Sequence, residues 1–498
     1  MKKFLPFLLV SLYLFSGCGK DMEPEIETPK EEPKKVFSKI SVTPPDKTVF
    51  RIGEKIDLTG LKVNYVYTDN SQTAVENYDV VYKVEDWKAG TYPVSITTRN
   101  GKVSFNITVD NELLDTKLPV FYIETENHQL ITSKEDYVNA SMKIKDKDNV
   151  LFENTLRIRG RGNATWSYEK KPYRLKLDEK ADLFGFGSDK DWVLLANYCD
   201  KTLMRTAIAF KLSELMKFSW KQKYRLVEVV LNGEYIGNYT FTEHIKQGSH
   251  RVDVPKRGYI IELDNYYKQE PKYFETSSSR GFKKGYSFKN PDTDDITQAE
   301  IDYIRNYMSD FEEMLKSPTF NDPLTGYKQY IDSYSFARWF VFHQILFNQD
   351  TNVFFTKDDQ SSSKLFMGPV WDFEWSLGIG WYDGSRPYPN PFLVYNRPDN
   401  SNYSDYYSRL LQDADFKNVV KSVWNEYKPV CQDILTYYED LRKELSESQK
   451  LNFGRWKIMD KKVSVGGVPM GSFDNEVDCD IQFFKNHTAW LETTISGL

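Results

Sequence analysis

The sequence predicts an α+β protein, with a small all-β domain in front of a larger domain that is strand-rich in its first half and helical in its second. Three observations carry this. Residues 36–110 hold short runs of alternating apolar and polar residues between turn signals. From about residue 111 further strand-like runs follow. Helical periodicity then takes over from Thr297 onward. Strands first and helices later suit α+β layering rather than alternating βαβ units.

Before these domains lies MKKFLPFLLVSLYLFSGC. Lys2 and Lys3 form a basic start, Phe4 to Phe15 an apolar run, and Ser16-Gly17 precede Cys18. The run is too short for a bilayer core that takes about 20 helical residues, so it reads as a signal peptide over residues 1–17. Phe15-Ser16-Gly17-Cys18 resembles a bacterial lipobox, which implies lipidation of Cys18 as the new first residue and a membrane attachment through that lipid. Residues 18–35 are rich in Pro, Glu and Lys and cannot bury enough apolar surface to fold, so they read as a disordered acidic tether. Lys20, Asp21 and Glu23 resemble the charged signal that sends some Gram-negative lipoproteins to the outer leaflet of the outer membrane, which implies a surface-exposed protein.

The 66 basic and 72 acidic residues leave a net charge of −6. Removal of Lys2 and Lys3 makes the mature chain more acidic still, which argues against nucleic acid as a partner. With Cys18 lipidated, Cys199, Cys431 and Cys479 allow at most one disulfide, so a large core must supply the stability. Five scattered histidines, without Cys-x-x-Cys or His-x-x-x-His spacing, speak against a zinc site.

In residues 36–110 the strand candidates are KISVTP, LKVNYVYT, TYPVSITTR and VSFNITV. The turn signals between them include Pro44-Pro45-Asp46, Thr68-Asp69-Asn70 and Arg99-Asn100-Gly101. The spacing suits an immunoglobulin-like sandwich, and FRIGEKIDLTGLKVNYVYTDNS resembles bacterial Ig-like domains of surface proteins. Without a charged constellation it reads as a spacer, or as a module docking a glycan or protein.

From residue 111 to 498 one large domain is expected. Its strand runs are PVFYIET, SMKIKD, LRIRGRG, PYRLKLD, YRLVEVVLNGEYIGNYTFTEHI and RGYIIELDNYY. Thr297-Gln298-Ala299-Glu300 is a capping box opening a helix with Ile301, Ile304, Met308, Phe311 and Leu315 on one face. Tyr334 to Phe347 is apolar nearly all round and predicts a buried helix.

Three constellations carry chemistry. Arg159-Gly160-Arg161-Gly162-Asn163 precedes Lys170-Lys171-Pro172-Tyr173-Arg174-Leu175-Lys176-Leu177. Glycines let backbone approach phosphate oxygens, and strand alternation puts Arg174 and Lys176 on one face, opposite Tyr173, Leu175 and Leu177. Glu243 ends an apolar strand run, where it is placed to pair with Lys176 or Arg174 or to sit as a surface charge. Asn348-Gln349-Asp350-Thr351-Asn352 follows the buried helix, and Val370-Trp371-Asp372-Phe373-Glu374-Trp375 comes later. Charged groups beside such apolar runs are costly unless paired or metal-bound, and Asp and Asn oxygens suit Mg2+ or Mn2+. One residue at a time, helix caps and a buried hydrogen bond explain them equally well.

A glycine turn, a basic strand, an acid, an Asp/Asn pair and a later Asp follow each other as the parts of a protein kinase do, although no His-Arg-Asp, Asp-Phe-Gly or Ala-Pro-Glu string is present. The strings RIRGRGNATW, KKPYRLKL, DWVLLANYCDKTLMR, GEYIGNYTFTEHI, GYIIELD, NQDTN and GPVWDFEWSLG resemble the spore-coat CotH-type kinase family, an atypical secretory kinase-like group. The resemblance implies a kinase-like fold, use of ATP with Mg2+ or Mn2+, and phosphoryl transfer to Ser or Thr of a protein. By position it makes Asp350 the catalytic acid–base, and Asn352 and Asp372 the metal ligands. It also makes Lys176, Arg174 and Arg161 the contacts to the nucleotide, with Glu243 orienting the lysine. Only Thr351 separates Asp350 from Asn352, and Glu374 stands at the last position of the family's W-D-[FY]-D string. Two other readings stay open. One is a non-catalytic binding protein on this fold. The other is a glycoside hydrolase whose carboxylates Asp372 and Glu374 share one face of a strand, in a retaining pair about 5 Å apart.

Overall fold

The structure is a computed structural model of the chain, and it describes residues 34–85, 87–277, 283–348, 353–361, 363–379, 404–463 and 468–498. Two compact units interleave along the sequence. The first comprises Met1–Lys47, Leu58–Tyr82 and Pro93–Phe105; the second comprises Thr48–Asp57, Lys83–Tyr92 and Asn106–Leu498.

The leading strands are β1 (Phe37–Thr43), β2 (Val49–Ile52), β3 (Lys62–Tyr67), β4 (Gln72–Ala74), β5 (Asp79–Tyr82), β6 (Gly90–Thr98) and β7 (Gly101–Leu113). Within the first unit β3 pairs antiparallel with β1 and β4, and β5 pairs antiparallel with β6. Val63, Tyr65, Val94 and Ile96 are buried, the inward half of the alternation. In the second unit β2 pairs parallel with the end of β7. Ile52, Val109 and Leu113 there form one apolar cluster with Tyr122, Val230, Tyr235 and Leu451, against which Trp87 and Tyr92 pack.

The larger unit is built on a closed barrel of β8 (Val120–Thr125), β9 (Val138–Asp146), β10 (Asn149–Gly160), β11 (Tyr173–Asp182), β12 (Ser188–Leu195), β13 (Tyr224–Leu231) and β14 (Glu234–Glu243). Its order is β10-β11-β12-β14-β13-β8-β9, antiparallel throughout except for β8 beside β13. Alternation fills the interior: Leu156, Ile158, Tyr173, Leu175, Leu177, Trp192, Leu194, Val227, Val229, Tyr239 and Phe241 form its core.

A second sheet follows, of β15 (Tyr259–Leu263), β16 (Tyr273–Glu275), β17 (Gly285–Asn290), β18 (Val353–Lys357) and β19 (Phe366–Met367), in the order β16-β17-β15-β18-β19. The helices are a four-residue turn α1 (Ala164–Ser167), then α2 (Arg205–Leu215), α3 (Gln298–Lys316), α4 (Ser333–Leu346), α5 (Ser404–Leu410), α6 (Ala414–Tyr427), α7 (Val430–Glu444), α8 (Ser448–Arg455) and α9 (Phe473–Ser496). The capping box at Thr297 is formed in full, and all five expected apolar residues of α3 are buried. Helix α4 is buried from Phe336 to Leu346 except at Arg338, and Asp332 caps it by accepting from the Ser335 N–H at 2.7 Å. No helix among the described residues is long and apolar enough to cross a membrane. Cys199, Cys431 and Cys479 are free thiols.

Candidate functional site

The outer face of the barrel is where the basic strands point. Directly opposed residues of antiparallel neighbours project to the same side. Arg159 faces Arg174, and Arg157 faces Lys176 across β10 and β11; Lys176 in turn faces Asp191 on β12. Tyr173, Leu175 and Leu177 are buried inside while Arg174 and Lys176 point outward, as the alternation predicts. Asp191 binds Arg174 at 2.9 Å and Lys246 at 2.9 Å. Burial alone would raise the Asp191 carboxyl, but Lys246 and Arg174 outweigh it and hold the group well below the carboxylate range.

The end of this face meets the second sheet and the loop carrying Asp372. Arg161, half-buried at the turn after β10, lies over the Trp371 ring at 5.4 Å. Burial lowers its guanidinium to about 10, against the pull of Asp372 and Glu262 and with the push of Arg174 and Arg159. Its backbone N–H donates to the Pro172 carbonyl at 3.2 Å, while among the described residues the guanidinium donates to no acceptor. His244 stands in the same field: burial, Arg174, Arg161 and Lys289 push its imidazole well below the usual range, so it is neutral. Lys289 and Glu262 form an ion pair at 2.8 Å. Burial raises the Glu262 carboxyl against the opposing pull of Lys289. The site therefore gathers the cations Arg161, Arg174, Lys246 and Lys289 with three acids, Asp191, Glu262 and Asp372.

Asp372 is presented by a loop held on all sides. Val370, Trp371 and Phe373 are buried around it, and its own φ of +65° lies in the left-handed region, which Asp tolerates better than most residues. Asn348, just past the end of α4, donates through Nδ2 to the Asp372 carbonyl at 2.9 Å. Leu377 donates to the Leu346 carbonyl at 2.8 Å, and Arg205 donates through Nε to the Ser376 carbonyl at 3.1 Å. Glu374 accepts from the Cys199 N–H at 2.6 Å.

Of the residues singled out from sequence, Arg161, Arg174, Lys176 and Asp372 belong to this region. Asp350, Asn352 and Cys18 lie outside the described residues. Glu243 is a correction. Trp192 faces both Leu175 and Glu243 across the barrel, so Glu243 points inward, opposite to Arg174 and Lys176. It pairs instead with Arg251, which lies over Trp192 at 4.5 Å, and accepts the Lys223 N–H at 3.1 Å. Burial raises its carboxyl against the pull of Arg251. The two-carboxylate reading of Asp372 and Glu374 also fails. Residues 370–379 do not form a strand, and Glu374 is buried on backbone N–H groups rather than open to a substrate. Burial pushes its carboxyl up to about 7.

Sequence reasoning missed Asp191, His244, Glu262, Lys289 and Asn348. Asp191, His244 and Glu262 stand in strings already noted, DWVLL, TEHI and IIELD, as polar residues beside apolar runs. Among the described residues no three His, Cys, Asp or Glu side chains gather to hold a metal. Asp372 is the described member of the expected Asp and Asn oxygen pair, and its place in the field of Arg161, whose guanidinium donates to no acceptor among the described residues, fits a site for a metal-bound phosphate.

No curated protein matches the chain. The family model for a bacterial Ig-like domain (group 3) matches residues 42–109, and that for the CotH kinase protein matches residues 156–491. The second match runs from β10 into α9, takes in the barrel strands β11 to β14 and the Asp372 loop, and covers more than half of the sequence. The chain therefore belongs to the CotH kinase family, with a bacterial Ig-like domain ahead of the kinase-like part.

Proposed function

We propose that this protein is an exported, lipid-anchored atypical protein kinase that transfers the γ-phosphoryl group of ATP to Ser or Thr of a surface or secreted protein. The observation that carries the reading is Arg161: a half-buried guanidinium that donates to no acceptor among the described residues, in the field of Asp372 and Arg174. A guanidinium placed so is suited to phosphate oxygens, which it binds in its fork geometry. Arg161, Arg174 and Lys176 are the cations for the nucleotide phosphates, and Asp372 with Asn352 the ligands for Mg2+ or Mn2+. Asp350 accepts the proton of the acceptor hydroxyl. A bound metal would neutralise charge on the phosphates as the bond to the leaving oxygen breaks. His244, held neutral, adds no further positive charge to the site. The lipid on Cys18 would keep the kinase at the outer membrane.

The test is a thermal melt of the mature chain with ATP and Mn2+, each alone and together. Wild type should rise only with both. Asp372→Asn should lose that rise while melting near the wild-type temperature, because Asn adopts the left-handed backbone as readily as Asp. A wild type indifferent to ATP and metal would replace the kinase reading with that of a non-catalytic surface binding protein.

A further inference from the structure

We infer that Asn348 is a positioning residue for the Asp372 carboxylate, acting through the Asp372 peptide rather than on substrate. This deepens the kinase reading and rests on it. Asn348 is 2% exposed, and its Nδ2 donates to the Asp372 carbonyl at 2.9 Å. Its Oδ1, also buried, accepts no hydrogen bond among the described residues. A buried amide with its acceptor unspent is a poor choice for stability alone, since an apolar side chain of the same volume would fill the space without that loss. What only the amide supplies here is the donor.

The receiving group explains why a donor matters. Asp372 has φ +65°, a conformation that local preference does not hold for it. Fixing its carbonyl fixes the following peptide plane, and with it the direction in which the Asp372 side chain leaves the backbone. The donor is itself held firmly. Phe347 closes α4 at φ 48°, and the Asn348 N–H reaches back to the His343 carbonyl at 3.3 Å. Leu377 binds the Leu346 carbonyl at 2.8 Å from the other end of the loop. The end of the buried helix and the Asp372 loop are thus joined at two points, at the Asp372 carbonyl and at Leu377 further along the loop. The Leu377 bond is between backbones and any residue but proline could make it; the Asn348 bond is specified by sequence.

The experiment measures, by equilibrium dialysis, the Mn2+ retained with the full mature chain in the presence of ATP, over that held by ATP alone. Asn348→Leu keeps shape and removes the donor. It should weaken Mn2+ binding by roughly 10- to 100-fold, the range seen when a group orienting a metal ligand is removed, while the melting temperature without ligand stays level or rises. Asn348→His restores an N–H at Nδ1, the same number of bonds from Cα as the Asn Nδ2, and should recover most of the binding. In an Asp372→Asn background, Asn348→Leu should have no further effect. Should Asn348→Leu not fold, Asn348→Ser, with a hydroxyl too short to reach, is read the same way. Wild-type Mn2+ affinity in the folded Leu or Ser variant, or a histidine variant no better than leucine, overturns the inference. A wild type that binds no Mn2+ with ATP overturns the kinase reading itself, and the two failures are separate measurements.

Discussion

Arg205 opens α2 and lies wholly inside the larger unit, 4% exposed, between two carboxylates that are themselves buried. It donates to Asp200 and to Asp480 of α9, and through Nε to the Ser376 carbonyl behind the Asp372 loop. The two acids are not equivalent. Asp200 also accepts from the backbone N–H groups of Thr202 at 2.9 Å and Arg205 at 2.8 Å, so it keeps partners when the guanidinium goes. Asp480 has Arg205, and its Oδ2 accepts nothing among the described residues. Arg205→Met should therefore destabilise the unit by about 3–5 kcal/mol, nearly all of it from Asp480 left charged and buried. At about 2 °C per kcal/mol for a unit of this size, the melting temperature should fall by roughly 6–10 °C. Adding Asp480→Leu should recover at least half of that loss, since it removes the stranded charge. The pH dependence fixes the sign. Burial already raises the Asp480 carboxyl well above its ordinary value, and loss of Arg205 raises it further. A raised carboxyl costs stability as pH rises from its unfolded value toward its folded one, and that window is wider in the variant. The gap to wild type should then narrow as pH falls from 8 toward 5. Urea unfolding followed by tryptophan fluorescence measures it. A loss under about 1 kcal/mol, or one equal at both pH values, would refute the argument.

Glu374→Gln keeps the oxygen that accepts the Cys199 N–H and removes the charge. With the wild-type carboxyl raised to about 7, the folded protein loses stability as pH climbs from the unfolded value to 7. The variant should gain on wild type across that window by on the order of 3 kcal/mol and no further above it, and a pH-independent difference in unfolding midpoint counts against this. Cys18→Ala should release the protein from the membrane fraction, because the acyl chains are the expected attachment; fractionation that still finds it in membranes counts against the lipid.

Much of the fold was legible because it is local. The capping box at Thr297 and the outward Arg174 and Lys176 depend on residues a few positions apart, and the buried helix at Ser333–Leu346 on composition over one stretch. What the sequence could not show depends on which strand lies beside which. Glu243 and Arg174 fall on opposite faces only because β12 stands between β11 and β14 with Trp192 opposite both Leu175 and Glu243. A barrel register is a long-range fact, and a slip of one residue would have put them together. Lys246 and Lys289 likewise carry no local mark, and the charges they bring to Asp191 and Glu262 meet only once the barrel has closed beside the second sheet. Asn348 lay inside a string already singled out, but its donor role shows only when its partner, a backbone carbonyl 24 residues on, is known.

The interleaving of the two compact units has a consequence for how such a protein can be taken apart. The chain passes from one to the other five times between Lys47 and Asn106. The Ig-like stretch is thus not a bead on a string: β2 and the segment around Trp87 are sewn into the larger unit, where Ile52, Val109 and Leu113 share a cluster with Tyr235 and Leu451. A protease cut after residue 110 would leave the two pieces still holding one another. A gene begun at residue 111 would make a barrel with Tyr122, Val230 and Tyr235 laid bare to water. Recombination that trades the front domain for another must carry those seams along, or find a replacement that fits the same three apolar side chains.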